Sequence, residues 1–84
     1  MTLTVLLLVG LAQYTPQEAQ ALFVEANDAY YRGDLDDAAA RYQKLLDANL
    51  GGPDVLFNLG TTELAAGRLG PAVLSLERAA RLSD

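Results

Sequence analysis

The chain has 84 residues, a net charge of −5 and 51% hydrophobic residues, and it contains neither cysteine nor histidine. A chain of this length is expected to be one small domain or a piece of a larger protein. The missing residue types exclude disulfides, thiol catalysis and ordinary zinc or haem ligation, while the acidic excess disfavours nucleic acid or an anionic membrane as a partner. Much of the hydrophobic content is Ala and Leu, the strongest helix formers, so the composition predicts an all-α fold.

The first segment, residues 1–13, contains an apolar run from Leu3 to Ala12. A run of about ten residues is too short to span a bilayer, which needs about twenty. It fits the apolar core of a secretory signal peptide, and Gly10 and Ala12 have the spacing of a cleavage site after Ala12. The usual leading positive charge is missing, since the first basic residue is Arg32. The alternative is an apolar helix that packs on the rest of the domain.

The next stretch carries every signal of a helix start and a helix end. Thr15 suits the N-cap position, Pro16 suits the first helical position, and Glu18 can close a capping box with Thr15. Gly33 is predicted to end this helix as a left-handed cap. Apolar residues recur at three- and four-residue steps and predict one buried face, formed by Ala19, Leu22, Phe23, Ala26, Ala29 and Tyr30.

A second helix is predicted directly after the glycine turn. Asp34 is its natural N-cap, and Asp36 and Asp37 fall in its first turn, where the helix dipole favours negative charge. A calcium loop is the alternative for these aspartates, but the third ligand, the central glycine and the terminal glutamate of such a loop are missing. We therefore expect capping and no metal site. The predicted inner face is Ala38, Tyr42, Leu45 and Leu46, and the helix should stop at Asn49, Gly51, Gly52 and Pro53.

The second half of the chain repeats this organisation. Pro53 again suits a first helical position, Gly67 marks the break, and Gly70 precedes a last helix with Pro71 at its first position. The helical pattern of the third helix runs to Ala66 through Leu56, Leu59, Gly60, Glu63 and Leu64. The last helix should end near Leu82, with an inner stripe formed by Ala72, Val73, Leu76, Ala79 and Ala80.

The two halves align at an offset of 34 residues, residues 19–50 on 53–84. Small residues at positions 26, 38, 60 and 72 let the two helices of each half approach closely, and large residues beside them fill the space. Identical residues occur at Leu22/Leu56, Phe23/Phe57, Gly33/Gly67, Leu35/Leu69 and Ala38/Ala72.

These positions resemble the tetratricopeptide repeat (TPR), a helix–turn–helix unit with a period of about 34 residues. The first copy matches at Leu22, Ala26, Tyr30, Gly33, Ala38 and Tyr42, and the second at Leu56, Leu59, Gly60, Gly67, Ala72 and Ala79. The chain departs from the pattern at Leu50 and Asp84, where Pro is expected, and at Glu63, where Tyr is usual. The resemblance implies an all-α superhelix of two TPR units over residues 15–84, with repeat 1 at about 19–52 and repeat 2 at about 53–84.

A narrower resemblance rests on three strings. They are Leu22-Phe23 with Ala26-Asn27-Asp28-Ala29-Tyr30 and Gly33-Asp34, then Leu56-Phe57-Asn58-Leu59-Gly60, and Val73-Leu74-Ser75-Leu76-Glu77-Arg78-Ala79. Together they look like the TPR protein of bacterial aerotolerance (Bat) operons. That family implies a signal sequence, an exported TPR block and often further membrane helices outside this chain. A periplasmic or membrane-associated location follows, or a cytoplasmic one if residues 3–12 are not a signal.

In TPR arrays the first helix of each unit lines a concave face that holds extended peptides or partner helices. The resemblance therefore implies ten partner-binding residues: Gln20, Phe23, Asn27, Tyr30, Tyr31, Asp54, Phe57, Asn58, Thr61 and Leu64. Ordinary helix packing is the alternative for Phe23, Tyr30 and Phe57, whereas Tyr31 lies off the apolar stripe and should be exposed.

Two asparagines in this set have the spacing of the carboxylate clamp found in chaperone-binding TPR proteins. They are Asn27 and Asn58, but Phe23 stands where the clamp needs a lysine, and its other cations belong to a third unit. We therefore do not expect recognition of a terminal carboxylate by a full clamp, and we keep the asparagine pair as holders of a peptide backbone.

The leading functional prediction is a non-enzymatic scaffold module that binds a peptide or partner protein in the concave groove. The resemblance implies that this module is the exported N-terminal part of a larger membrane-associated bacterial protein. The alternative is self-association into a homodimer through an uncovered stripe of Val73, Leu76 and Ala80, because arrays usually need about three units or a polar cap. Catalysis is disfavoured, since the glutamates have no converging partner and no glycine loop could cradle a phosphate. No cofactor is expected, and a membrane is expected only through segments outside this chain.

Overall fold

The computed structural model describes residues 14–83, and this range folds into four α-helices. They are α1 (Pro16–Arg32), α2 (Leu35–Asp47), α3 (Pro53–Ala65) and α4 (Leu69–Ser83). No strand occurs within residues 14–83, so the all-α prediction is confirmed. In the same range, no helix has both the length and the apolar character needed to cross a bilayer. The alternatives for residues 1–13 concern a segment outside the described range.

The helices pack as two helix–turn–helix units in series. α1 packs on α2, α3 packs on α4, and the units join mainly where α2 meets α3. α1 and α3 meet over a much smaller area. The first helices of the two units therefore lie beside each other without a continuous interface, and this arrangement leaves a concavity between their side chains.

The two intra-unit turns have the same geometry. Gly33 and Gly67 adopt left-handed φ angles of 85° and 81°. In the first turn the Asp34 amide donates to the Ala29 carbonyl at 2.9 Å, and in the second the Arg68 amide donates to the Glu63 carbonyl at 2.8 Å. These are Schellman caps, in which a left-handed residue satisfies the last carbonyls of a helix. They confirm the predicted glycine breaks.

The start of α1 is the predicted capping box. The Thr15 hydroxyl accepts from the Glu18 amide at 3.1 Å, and Glu18 accepts from the Thr15 amide at 2.8 Å. Pro16 and Pro53 both begin helices, as predicted. Asp34 occupies the N-cap of α2, but its side chain makes no cap hydrogen bond and instead accepts from Arg32 at 3.2 Å. The predicted N-cap position of Asp34 is therefore confirmed, but its carboxylate does not form the capping hydrogen bond.

The start of α4 also differs from its prediction. The helix begins at Leu69, with the Ala72 amide donating to the Arg68 carbonyl at 3.0 Å, so Pro71 is its third residue. A proline is tolerated there because the first-turn amides of a helix have no intrahelical acceptor. The equivalent helix α2 begins at Leu35, 34 residues earlier, so the repeat period fixes this boundary better than the proline does.

The core has one continuous part at the junction of α1, α2 and α3 and a smaller part within the second unit. The first part contains Leu22, Ala26, Ala29, Ala38, Tyr42, Leu45, Val55 and Leu59. In the second unit the buried face of α4 is Ala72, Ser75 and Ala79, with Leu76 partly buried. The prediction for α4 was wrong about Val73, which is 56% exposed, and about Ala80, which is also exposed. Ser75 fits inside because its hydroxyl donates to Glu63 on α3 at 2.8 Å.

Candidate functional site

The concavity between the first helices of the two units contains a pocket of about 330 Å³. α1 contributes Asn27, Tyr30 and Tyr31, and α3 contributes Phe57, Asn58 and Thr61. Tyr42 of α2 reaches the same pocket from behind. Six of the ten residues proposed from the sequence are thus brought together here.

The floor of the pocket is a hydrogen-bonded triad of side chains. The Asn27 Oδ1 atom accepts from the Tyr42 hydroxyl and also from Asn58 Nδ2 at 3.2 Å. Within residues 14–83 no hydrogen bond engages Asn27 Nδ2 or Asn58 Oδ1, and no buried side-chain nitrogen or oxygen lacks a partner. The Asn27 Nδ2 and Asn58 Oδ1 atoms therefore remain available to a ligand.

Tyr42 is 2% exposed, so its hydroxyl is part of the interior as well as of the pocket floor. Burial raises the pKa of this hydroxyl above its ordinary value, and the adjacent Asn58 amide lowers the pKa in part. The nearby Tyr31 and Tyr30 add to the rise. The neutral phenol is therefore the form that the folded protein favours.

The walls of the pocket are aromatic. The rings of Tyr30 and Tyr31 meet edge to face, with centroids 5.4 Å apart and an interplanar angle of 80°. Tyr31 is 83% exposed and Phe57 is 58% exposed. The exposure predicted for Tyr31 is confirmed. Large exposed rings on a concave surface offer contact area to a partner at low cost in side-chain entropy.

A second pocket of about 520 Å³ continues from the first, since Phe57 and Asn58 line both. Phe23 lines it from α1, where its ring lies edge-on to Tyr42 at 6.2 Å, and Asp54 lines it from α3. α4 adds Leu76 and Ala80, two residues of the proposed self-association stripe, while Val73 lines neither pocket. We call the two joined pockets the α1–α3 groove.

Two of the ten proposed residues lie elsewhere. Gln20 lines a separate recess with Pro16, Gln17 and Ala21, and Leu64 is exposed outside the groove. Conversely, Tyr42 was expected only as an inner-face residue of α2. A tyrosine on a buried stripe needs a hydrogen-bond partner for its hydroxyl. The presence of Tyr42 on such a stripe was therefore the sequence signal for a polar contact at the groove floor.

The lining of the α1–α3 groove within the described chain contains aromatic, aliphatic, amide and hydroxyl side chains and one carboxylate, that of Asp54, but no lysine or arginine. Such a set can stack on side chains and exchange hydrogen bonds with a peptide backbone. It lacks the cations that would hold a carboxylate or a phosphate.

A family model described as Tetratricopeptide repeat matches residues 23–84. This range includes every residue that lines the α1–α3 groove and all of α2, α3 and α4. No curated protein and no solved structure gives a significant match to the chain.

Proposed function

The chain belongs to the tetratricopeptide repeat family, and from this premise we propose that it binds a peptide or a partner protein in the α1–α3 groove. Repeats of this family generally mediate protein–protein interaction. The observation that carries the proposal is the pocket between α1 and α3, where exposed aromatic rings surround two asparagine side chains with unused hydrogen-bonding atoms.

The groove has the two properties that peptide recognition requires. Tyr31 and Phe57 supply exposed apolar area, and buried aromatic anchors usually account for most of the binding energy at protein interfaces. Asn27 Nδ2 and Asn58 Oδ1 can donate to and accept from a peptide main chain, which fixes the direction and register of an extended ligand.

The test is selection of peptides from a display library on the wild-type protein, followed by affinity measurements on variants. Tyr31→Ala and Phe57→Ala should each weaken the selected peptides by about tenfold or more. Both side chains are more than half exposed, so these variants should keep the fold. Tyr14→Ala is the matched control, because Tyr14 is an exposed tyrosine that lines neither pocket.

Two results would contradict groove binding. One is a set of selected peptides that bind both groove variants as tightly as the wild type. The other is a selection that recovers no peptide. A Tyr31→Ala/Asn27→Ala double variant then asks whether the aromatic wall and the amide floor act on the same ligand, with thermal unfolding checked because Asn27 is also a structural acceptor.

Self-association is the second candidate. α4 exposes Val73, Leu74 and Leu82, each by more than half, and exposed apolar side chains favour burial against another molecule. A homodimer formed through α4 predicts a mass that rises with concentration in sedimentation equilibrium and returns to the monomer value in Val73→Glu. A monomer at high concentration would rule it out.

Export is proposed on the sequence alone. The narrower resemblance to the TPR protein of aerotolerance operons, and the periplasmic location that accompanies it, depend in part on residues 3–12, which lie outside the described range. A fusion of the chain to alkaline phosphatase, an enzyme that is active only after export, tests the location. An inactive fusion in cells that express it would place the chain in the cytoplasm.

A further inference from the structure

We propose that the α1–α3 groove selects its ligand by a basic side chain, an arginine or lysine that enters the pocket between Tyr30, Tyr31 and Phe57. The inference rests on the proposed peptide binding and adds the chemistry of the partner. Three independent features of the described chain support it: the aromatic walls, the unused acceptor on Asn58, and the distribution of charge over the four helices.

The aromatic walls suit a cation. Tyr30 and Tyr31 stand nearly perpendicular, and Phe57 faces them from the other helix across a pocket of about 330 Å³. The negative face of an aromatic ring attracts an ammonium or guanidinium group within about 6 Å of its centroid. The long aliphatic stems of lysine and arginine can meanwhile cover the exposed carbon surface of Phe57.

The polar atoms left in the pocket include an acceptor for such a group. Asn58 Oδ1 is not engaged within residues 14–83, and it lies at the floor where the donors of a guanidinium or ammonium would arrive. Arginine and lysine side chains carry only hydrogen-bond donors. The amide oxygen of Asn58, in a pocket that tyrosines also line, can accept a hydrogen bond from either of them.

Charge is unevenly distributed between the two kinds of helix. The groove-forming helices α1 and α3 carry five carboxylates and a single guanidinium, whereas α2 and α4 carry four groups of each sign. The guanidinium is Arg32, which pairs with Asp34 in the turn. The helices that form the groove therefore carry an excess of negative charge, and negative charge beside a concave surface concentrates positively charged ligands there.

Two of the five carboxylates remain free to act on a ligand. Asp54 lines the groove, and Asp28 lies one helical turn before Tyr31 on α1. Neither makes an ion pair or a side-chain hydrogen bond within the described residues, while the other three cap a helix, pair with Arg41 or accept from Ser75. An acidic ligand would meet these two charges with no cation in the groove lining to offset them.

The test is an NMR titration of the ¹⁵N-labelled protein with five blocked peptides of one Ala/Leu/Gly host sequence. They differ only in a central arginine, lysine, citrulline, norleucine or glutamate. The arginine and lysine peptides should bind at least about fivefold tighter than their uncharged analogues, and glutamate should bind most weakly. The shifts should include the side-chain amide signals of Asn27 and Asn58, and the charge preference should shrink as salt is added.

Matched variants locate the effect. Tyr31→Leu removes the aromatic face and keeps an apolar side chain, so it should abolish most of the preference for arginine over citrulline, while Tyr14→Leu should leave it unchanged. Asp54→Asn should reduce the preference, and Glu77→Gln, a change on the exposed side of α4, should not. An unchanged preference in Tyr31→Leu overturns the assignment to this pocket.

The outcomes separate the two proposals. If the citrulline or glutamate peptide binds as tightly as the arginine peptide and still shifts the asparagine signals, the basic selectivity is wrong and peptide binding in the groove survives. If none of the five peptides shifts these signals at millimolar concentration, the selectivity is overturned, and the display selection decides on groove binding itself.

Discussion

The Asn58 side chain of α3 donates a hydrogen bond of 3.2 Å to the side-chain amide oxygen of Asn27 on α1. This bond connects the two repeat units at the floor of the groove. The same oxygen accepts from the buried hydroxyl of Tyr42 on α2. Asn27 therefore connects three helices, and the relative position of α1 and α3 depends on it. A residue that looks like a ligand contact also holds the groove in shape.

Because Asn27 has both roles, its replacement by alanine should lower the free energy of unfolding more than the same replacement at Asn58. Asn27→Ala removes the acceptor of a buried hydroxyl and should lower the free energy of unfolding by about 1–3 kcal/mol. Asn58→Ala removes one donor, leaves the Tyr42 contact intact, and should cost about 0.5–1.5 kcal/mol. The gain in helix propensity is the same in both, so it cancels when their urea unfolding curves are compared.

Tyr42→Phe provides the control for this comparison. In this variant Asn27 no longer accepts a hydrogen bond from a buried hydroxyl. The loss of unfolding free energy caused by Asn27→Ala should therefore fall toward that caused by Asn58→Ala. An equal cost of Asn27→Ala in the wild-type and Tyr42→Phe backgrounds would show that the hydroxyl contact contributes nothing to its effect.

The raised pKa of Tyr42 predicts a loss of stability in alkali. Because the folded-state pKa lies above the ordinary value of 10.0, the unfolded chain loses this proton first as pH rises. The contribution of Tyr42 is complete below about pH 10 and is lost as pH climbs toward the folded-state pKa. The urea midpoint of the wild type should therefore fall more steeply above about pH 10 than that of Tyr42→Phe, and parallel profiles would contradict the assignment.

The sequence predicts the repeat and its turns because these depend on local chemistry. Gly33 and Gly67 are the residues that accept left-handed φ angles most readily, and their spacing sets the starts of α2 and α4. Where a local signal competes with the period, as Pro71 does at the start of α4, the period gives the right boundary.

The sequence predicts buried residues and contacts less accurately where they depend on the packing of one helix against another. Periodicity alone cannot decide whether Val73 or Ser75 faces α3. Ser75 is inside because Glu63 accepts its hydrogen bond there, and Leu76 lies against Gly60, which leaves Val73 outside. The contact of Asn27 with Asn58 spans 31 residues and two units, so only the packed structure reveals it.

Substitutions at the two turn glycines, Gly33 and Gly67, should lower the stability of the protein by similar amounts. A β-carbon at Gly33 or Gly67 would meet no atom within 4 Å, so a substitution there acts only through the left-handed φ angle. Gly33→Ala and Gly67→Ala should each cost about 1 kcal/mol. Asparagine should cost less at both places, as Asn49 already holds a φ of 58° at the end of α2. Thermal unfolding would contradict the prediction if alanine and asparagine behaved alike.

The effect of Gly60→Ala on stability should change sign when the neighbouring Leu76 side chain is removed. A β-carbon built at Gly60 lies 2.7 Å from Leu76 Cγ and 3.3 Å from the Ala72 carbonyl oxygen, so Gly60→Ala should force α3 and α4 apart and cost about 1–3 kcal/mol. In a Leu76→Ala background the side-chain clash is gone, and the same change should stabilise the protein by up to about 1 kcal/mol through helix propensity. Urea unfolding of the four proteins of this cycle gives the coupling between the two sites directly. If Gly60→Ala has the same effect in both backgrounds, the close approach of Leu76 to Gly60 is not what requires glycine here, and the carbonyl of Ala72 becomes the remaining steric reason.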